Sequence, residues 1–288
     1  MDVYAPYTNG NPRRIPLDSV EKFTLADYGF SVDAVKGQMF GVRVVDPESG
    51  EELGDDYYIQ AINSAIANAE KVFDIKILPR FESEEKDFYQ SDFNSFGYLK
   101  MNSRPVLQVE DFQLRGYNQN VMQYQNNWWK VNCIQGSVQL MPSLLGILGG
   151  TGGVPYNQLS TGQAPWLGFP PVGLNQGYAP QLFHVNYVAG MLPQERDGVF
   201  REWELHPDLK FLILKQSAKS ILEIWGRLII GAGIASKSFS MDGIEESVVT
   251  TQSAMYGGAS ADILQLDQDI NQLTAGLKSY YGLNVGIV

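Results

Sequence analysis

The sequence predicts an α+β fold, a bundle of amphipathic helices with a small antiparallel β-sheet and a long Gly/Pro-rich inserted loop. Three observations predict it. Apolar residues recur at alternating spacings of three and four in three long segments, which is the helical period. Strict apolar alternation marks several short stretches between them, which is the strand period. Residues 144–180 show neither period and are crowded with Gly and Pro. A chain of 288 residues is long enough to bury a core without disulfide staples. One domain is expected, organised as an N-terminal arm (1–52), a helix-and-sheet core (53–143 and 181–230), the inserted loop (144–180) and a C-terminal helical segment (231–288).

Residues 1 to 37 carry scattered Pro, Gly and Asn and read as an arm, followed by Phe40-Val42-Val44, which alternates as a half-buried strand. Asp46-Pro47-Glu48-Ser49-Gly50 places Pro early and Gly late, as a turn requires. Asp55 or Asp56 then caps a helix whose apolar face is Ile59, Ile62, Ile66, Ala69 and Phe73, ending before Pro79. An acidic, aromatic connector, Glu82 to Phe96, leads to four strand-like stretches: Arg104 to Val109, Phe112-Leu114, Trp129-Val131-Cys133 and Val138-Leu140. After the loop, Phe183-Val185-Tyr187 alternates once more. Pro207 opens a helix with Phe211, Leu214, Ala218, Ile221, Trp225 and Leu228 on one stripe, terminated by Gly231 and Gly233. Ala235 to Thr251 has little periodicity. Ile263, Leu266, Ile270, Leu273, Leu277 and Tyr280 form a last helix ending at Gly282.

Charge narrows the function classes. A formal net charge of -11 opposes non-specific binding of nucleic acid, whose phosphates are held by Lys and Arg. From Val131 through Gln194 there is no Asp, Glu, Lys or Arg, a composition suited to burial against other subunits. The start of the chain lacks a basic segment followed by an apolar run, so folding in a cytoplasm is expected. Leu209 to Ala235 is broken by Lys210, Lys215, Lys219, Glu223 and Arg227, so no membrane span is expected.

Catalysis needs a base beside a nucleophile or a metal. The two histidines, His184 in a strand and His206 before Pro207, lie in unrelated settings and read as structural or solvent-exposed. Cys133, the single cysteine, reads as a buried inert thiol. Gly149 to Gly153 lacks the Gly-Lys-Ser/Thr ending and the following helix of a phosphate loop. Asp267, Asp269 and Asn271 begin like a calcium loop, but Gln272 stands where Gly is required and the segment has helical periodicity. The acidic cluster Glu82, Glu84, Glu85 and Asp87 is either a solubilising surface or a carboxylate site. Trp128, Trp129 and Trp166 either pack in a core or stack on sugars or bases. Catalytic residues, cofactors and metals are therefore expected to be absent. Leu145, Ile147, Leu148, Trp166, Leu167 and Phe169, apolar but aperiodic, are the candidate contacts with other subunits or partners.

The order of several short motifs resembles the head-tail connector (neck adaptor, head completion) proteins of tailed bacteriophages. Asp55-Asp56-Tyr57-Tyr58-Ile59 with Ala61-Ile62, Ala65 and Ala69-Glu70 is similar to that family's first long helix. Arg104-Pro105-Val106, a Trp-containing strand and Gly136 to Pro142 resemble its meander, and His184-Val185-Asn186-Tyr187-Val188-Ala189-Gly190 its strand end, with Pro207 and a helix after it. Gly231 to Ser236, Ser240 to Gly243 and Thr250-Thr251 are similar to larger adaptors of contractile-tailed phages. The resemblance covers roughly residues 55 to 281. It implies a non-enzymatic virion protein, assembled in the host cytoplasm as a twelve-membered homo-oligomeric ring beneath the portal protein. The ring would receive downstream neck or tail proteins and pass DNA through its channel without specific binding. The rival class is a carbohydrate- or receptor-binding virion protein using its tryptophans; a hydrolase built on the acidic cluster stands further back.

Overall fold

The computed structural model describes residues 17–20, 22–39, 41–45, 50–89, 98–116, 119–123, 129–140, 178–194, 200–230, 236–241, 244–249 and 260–282. The chain divides into two compact units, each assembled from two separated stretches: residues 1–23 with 74–204, and residues 24–73 with 205–288. The fold is α+β.

Unit 1 holds a short helix α1 (Leu17–Val20) and seven strands: β1 (Arg80–Tyr89), β2 (Tyr98–Lys100), β3 (Val106–Gly116), β4 (Gln119–Gln123), β5 (Trp129–Asn132), β6 (Ser137–Leu140) and β7 (Tyr178–Ala189). They form two antiparallel sheets, ordered β1-β7-β3-β4 and β2-β6-β5. The inner face of the larger sheet supplies Phe88, Phe112, Leu114, Phe183, Val185 and Tyr187. Against it packs the inner face of the smaller one, with Leu99, Trp129 and Val138. Phe112 is the hub, with its ring centroid 5.6 Å from that of Phe183 and 5.8 Å from that of Trp129. A second apolar cluster, on Val188 and Leu107, gathers Val20 of α1, Cys133 and Leu192, with Phe23 and Trp203 packed beside it.

Unit 2 holds a 3₁₀ turn (Leu25–Tyr28), α2 (Val32–Gln38), α3 (Asp55–Phe73), α4 (Pro207–Ile230), a hairpin of β8 (Ser236–Met241) and β9 (Ile244–Val249), and α5 (Ser260–Tyr281). Ser31 caps α2 by accepting the Ala34 N–H at 3.2 Å. Helix α3 buries Tyr58, Ile62, Ile66, Ala69 and Phe73, α4 buries Leu214, Ala218 and Ile221, and α5 buries Ile263, Leu266 and Leu277. Lys215 of α4 pairs with Asp269 of α5 at 2.7 Å and Lys219 with Asp267 at 2.6 Å, so two ion pairs rim that helix packing. Gly282, at φ 59°, ends α5 where the sequence places its stop.

Several expectations are corrected. The arm contributes α1, the 3₁₀ turn and α2, and buries Val20, Tyr28, Phe30 and Val35. Of the strand expected at Phe40 to Val44, Phe40 lies outside the described residues, and residues 41–45 show only an isolated bridge between Val45 and Glu52. Tyr58, not Ile59, faces the helical core, and Ile59 and Phe211 are exposed, because a stripe drawn from spacing alone can begin one residue off its true register. Glu82 to Tyr89 is not a connector but most of β1, held by nearly continuous pairing with β7. Arg104 to Leu114, expected as two strands, is one strand from Val106 onward, with a register shift between Val109 and Asp111 that disguises its period. The small sheet is two sheets, and Ala235 to Thr251 contains the β8-β9 hairpin. Residues 178–180 of the expected loop already belong to β7; the rest of it lies outside the described residues.

Candidate functional site

The segment 101–106 runs between the two sheets of unit 1 and is gripped from three sides. Met101 N–H donates to the Gly136 carbonyl at 2.8 Å, and Val106 N–H to the Cys133 carbonyl at 3.0 Å. The Pro105 carbonyl accepts the Gly190 N–H at 2.9 Å, and the Arg104 carbonyl accepts the Lys76 N–H at 2.6 Å. Arg104, 5% exposed and joined to Pro105 by a cis peptide bond, donates through Nε to the Asp74 carbonyl at 2.8 Å. Glycine is required at two of these contacts. A Cβ at Gly136 (φ 63°) would lie 2.7 Å from Arg104 Cβ, and one at Gly190 (φ 135°) 2.6 Å from Pro79 Cα. Three separate motifs, Arg104-Pro105-Val106, the Gly136 turn and the Tyr187-to-Gly190 strand end, therefore meet at one joint.

A polar network locks the joint on its β1 side. The Tyr187 hydroxyl donates to Glu84 Oε1 and accepts the Ser103 N–H at 3.1 Å. Glu84 also accepts the Asn102 N–H at 3.1 Å and pairs with Lys86 at 2.9 Å. Burial pushes the Glu84 carboxyl upward, but the hydrogen bonds from Tyr187, Lys86 and Asn102 outweigh it and hold the group below the usual carboxylate range. Burial, then the bond to Glu84, drives the Tyr187 hydroxyl well above the usual phenol range, so it stays a donor.

The other members of the acidic cluster are likewise engaged: Glu82 with Arg80 at 2.7 Å, Glu85 with Arg115 at 3.7 Å, and Asp87 with the Gln181 N–H at 2.8 Å. Their alternation places Glu82 and Glu84 on one face of β1 and Glu85 and Asp87 on the other, so they do not converge. His184 is buried, with Nε2 3.5 Å from Ser83 Oγ and Nδ1 3.9 Å from Glu85; burial, then the nearby Arg115, lowers its pKa. His206 Nδ1 accepts the Asp208 N–H at 3.2 Å, capping α4, and its ring lies 4.7 Å from Tyr280; burial lowers its pKa too. The histidines belong to different units. Cys133 is buried and its thiol is pushed up to about 12 by that burial, so it holds no thiolate at neutral pH. Asp267 and Asp269, the calcium-loop candidates, sit on a helix and face lysines.

Among the described residues no cluster of three His, Cys, Asp or Glu side chains is placed to hold a metal ion, and no helix is long and apolar enough to cross a membrane. Trp129 is 4% exposed and packs in the core. Trp128 and Gly149 to Gly153 lie outside the described residues, as do the candidate contacts Leu145, Ile147, Leu148, Trp166, Leu167 and Phe169. Sequence reasoning missed the exposed aromatics Phe81, Tyr89 and Tyr178. The alternation Phe81-Ser83-Glu85-Asp87-Tyr89 was a usable signal, masked by the charges between its ends.

No family model and no curated protein matches the chain. Among solved structures, the chain is similar to a chain in the "Neck of empty GTA particle computed with C6 symmetry", at a TM-score of 0.35 and 12% identity, over 68% of this chain and 80% of that one.

Proposed function

We propose that this protein is a structural subunit of the neck of a tailed bacteriophage particle, a head-to-tail connector that works as a ring between the portal and the tail and lets DNA pass through its channel. The observation that carries the reading is the joint: three of the motifs that give the sequence its resemblance to connector proteins, Arg104-Pro105-Val106, the Gly136 turn and the strand end at Gly190, interlock between the two sheets. Short motifs found in order could coincide; short motifs that also grip one another are a folding unit. The ring is twelve-fold in this reading, docks on the portal protein, receives the next neck or tail proteins and resides in the virion.

The non-enzymatic part of the proposal is supported by the engagement of each carboxylate of the acidic cluster. Burial of Trp129 removes one of the three aromatics on which glycan recognition would depend. Electron microscopy of the purified full chain, alone and mixed with the portal, tests the reading. Closed rings are expected. A chain that stays monomeric in both preparations at tens of micromolar overturns it.

A further inference from the structure

Unit 1 exposes two sheet faces of opposite chemistry. On the outward face of the smaller sheet, Lys130 and Asn132 stand on β5, Ser137 and Gln139 on β6, and Lys100 on β2. The register sets Lys130 beside Gln139 and Lys100 beside Ser137, so the two ammonium groups flank the central strand. Both lysines are exposed, and neither has an ion-pair partner among the described residues. In a chain of net charge -11, that face is the reverse of the background.

The second face lies on β1, an edge strand of the larger sheet. Phe81, Ser83, Glu85, Asp87 and Tyr89 alternate along its outward side over roughly 26 Å at the usual strand rise. Phe81 is 51% exposed and Tyr89 46%; Tyr178 of β7, 42% exposed, lies with its ring 5.0 Å from that of Tyr89. Large exposed aromatics at the ends, with carboxylates between them, are the makings of a protein contact rather than of a solvated edge.

We propose that the two faces are the halves of one contact between copies of this chain: the β1 face of one copy docks on the lysine face of the next. The proposal rests on the ring reading. Charge complementarity decides the pairing, with Glu85 and Asp87 of one copy set against Lys100 and Lys130 of its neighbour, while Phe81, Tyr89 and Tyr178 supply the apolar area. A contact between two identical faces would oppose acid to acid or lysine to lysine. The attractive arrangement is therefore heterologous, and heterologous contacts are the ones that close into rings.

The test uses the full chain and its assembly, read by mass photometry and electron microscopy. Lys130→Glu and Glu85→Lys should each raise the concentration needed for half-assembly about tenfold or more, because each sets like charges against one another. The double variant carries complementary charges again at every contact and should recover most of the loss. Folding of each variant is checked by circular dichroism. Because Glu85 also pairs with Arg115, a second measurement uses the unaltered chain: zero-length carbodiimide cross-linking of a mixture of isotopically light and heavy copies should join Lys100 or Lys130 of one copy to Glu85 or Asp87 of another. Single variants that assemble like the unaltered chain, a folded double variant no better than the worse single one, or rings with no such inter-copy cross-link overturn this pairing and leave the ring reading standing. Loss of portal docking with intact rings assigns the lysine face to a different neck protein and also overturns it. An unaltered chain that forms no rings overturns both.

Discussion

At Tyr187 one hydroxyl serves two groups, donating to Glu84 and accepting from the Ser103 N–H. Tyr187→Phe keeps the ring in the core and strands the amide without its acceptor, so unfolding in urea should show a loss of about 1 to 3 kcal/mol. A loss below about 0.5 kcal/mol would mean that water replaces the hydroxyl there. The histidines set a pH dependence whose sign follows from burial. Both His184 and His206 have folded pKa values below their ordinary ones. Above the unfolded value of about 6.5 both states are neutral and the stability is fully present. As pH falls below that value the unfolded chain takes up protons first, and stability declines until the folded pKa is passed. The urea midpoint should therefore drop between pH 7.5 and 5.5, and His184→Gln with His206→Gln should flatten that drop. An unchanged slope in the double variant would place the acid sensitivity elsewhere.

At the scale of elements, the close approach of Gly190 to Pro79 fixes how the end of β7 meets the start of β1. Gly190→Ala puts a Cβ 2.6 Å from backbone at a positive φ, and its cost, read as a thermal shift, should be about 3 kcal/mol or more. In unit 2 the helices test apolar burial against surface charge. Ile221→Ala, at a fully buried position of α4, should cost about 2 to 5 kcal/mol. Lys215→Ala should cost about 1 kcal/mol or less and lose even that at high salt, since its pair with Asp269 lies at the rim. Equal losses would mean the ion pair organises the helices. The helices were legible because their period spans many residues, and α3, α4 and α5 fall close to where the apolar spacing puts them. The strands were legible only where alternation was clean. Acidic β1 was lost because its outward side chains are charged and its pairing partner β7 lies about 90 residues further on. The β8-β9 hairpin hid among serines, although Asp242-Gly243 between Met241 and Ile244 is a hairpin signal in its own right. The joint was invisible in the sequence as a joint, since Arg104, Gly136 and Gly190 are brought together by the two sheets and not by spacing.

For the whole molecule, the expected behaviour toward DNA is indifference. With a net charge of -11, duplex DNA should bind weakly at physiological salt, and sub-micromolar affinity with a steep salt slope in a titration would contradict a passive channel. In the proposed ring, a lumen that repels phosphate would suit passage better than one that holds it. The interleaving of the two units bears on how the protein is made. Helix α3 leaves the ribosome about 130 residues before α4, the partner that covers its apolar stripe. At bacterial or eukaryotic elongation rates that interval is on the order of ten seconds. During that time Tyr58, Ile62, Ile66 and Phe73 have no native partner from α4, while all of unit 1 except its first 23 residues is being synthesised. Unit 1 can close before unit 2, and the nascent chain presents a greasy helix to the crowded cell interior for nearly half of its synthesis, a window in which chaperone capture competes with premature association between neighbouring chains.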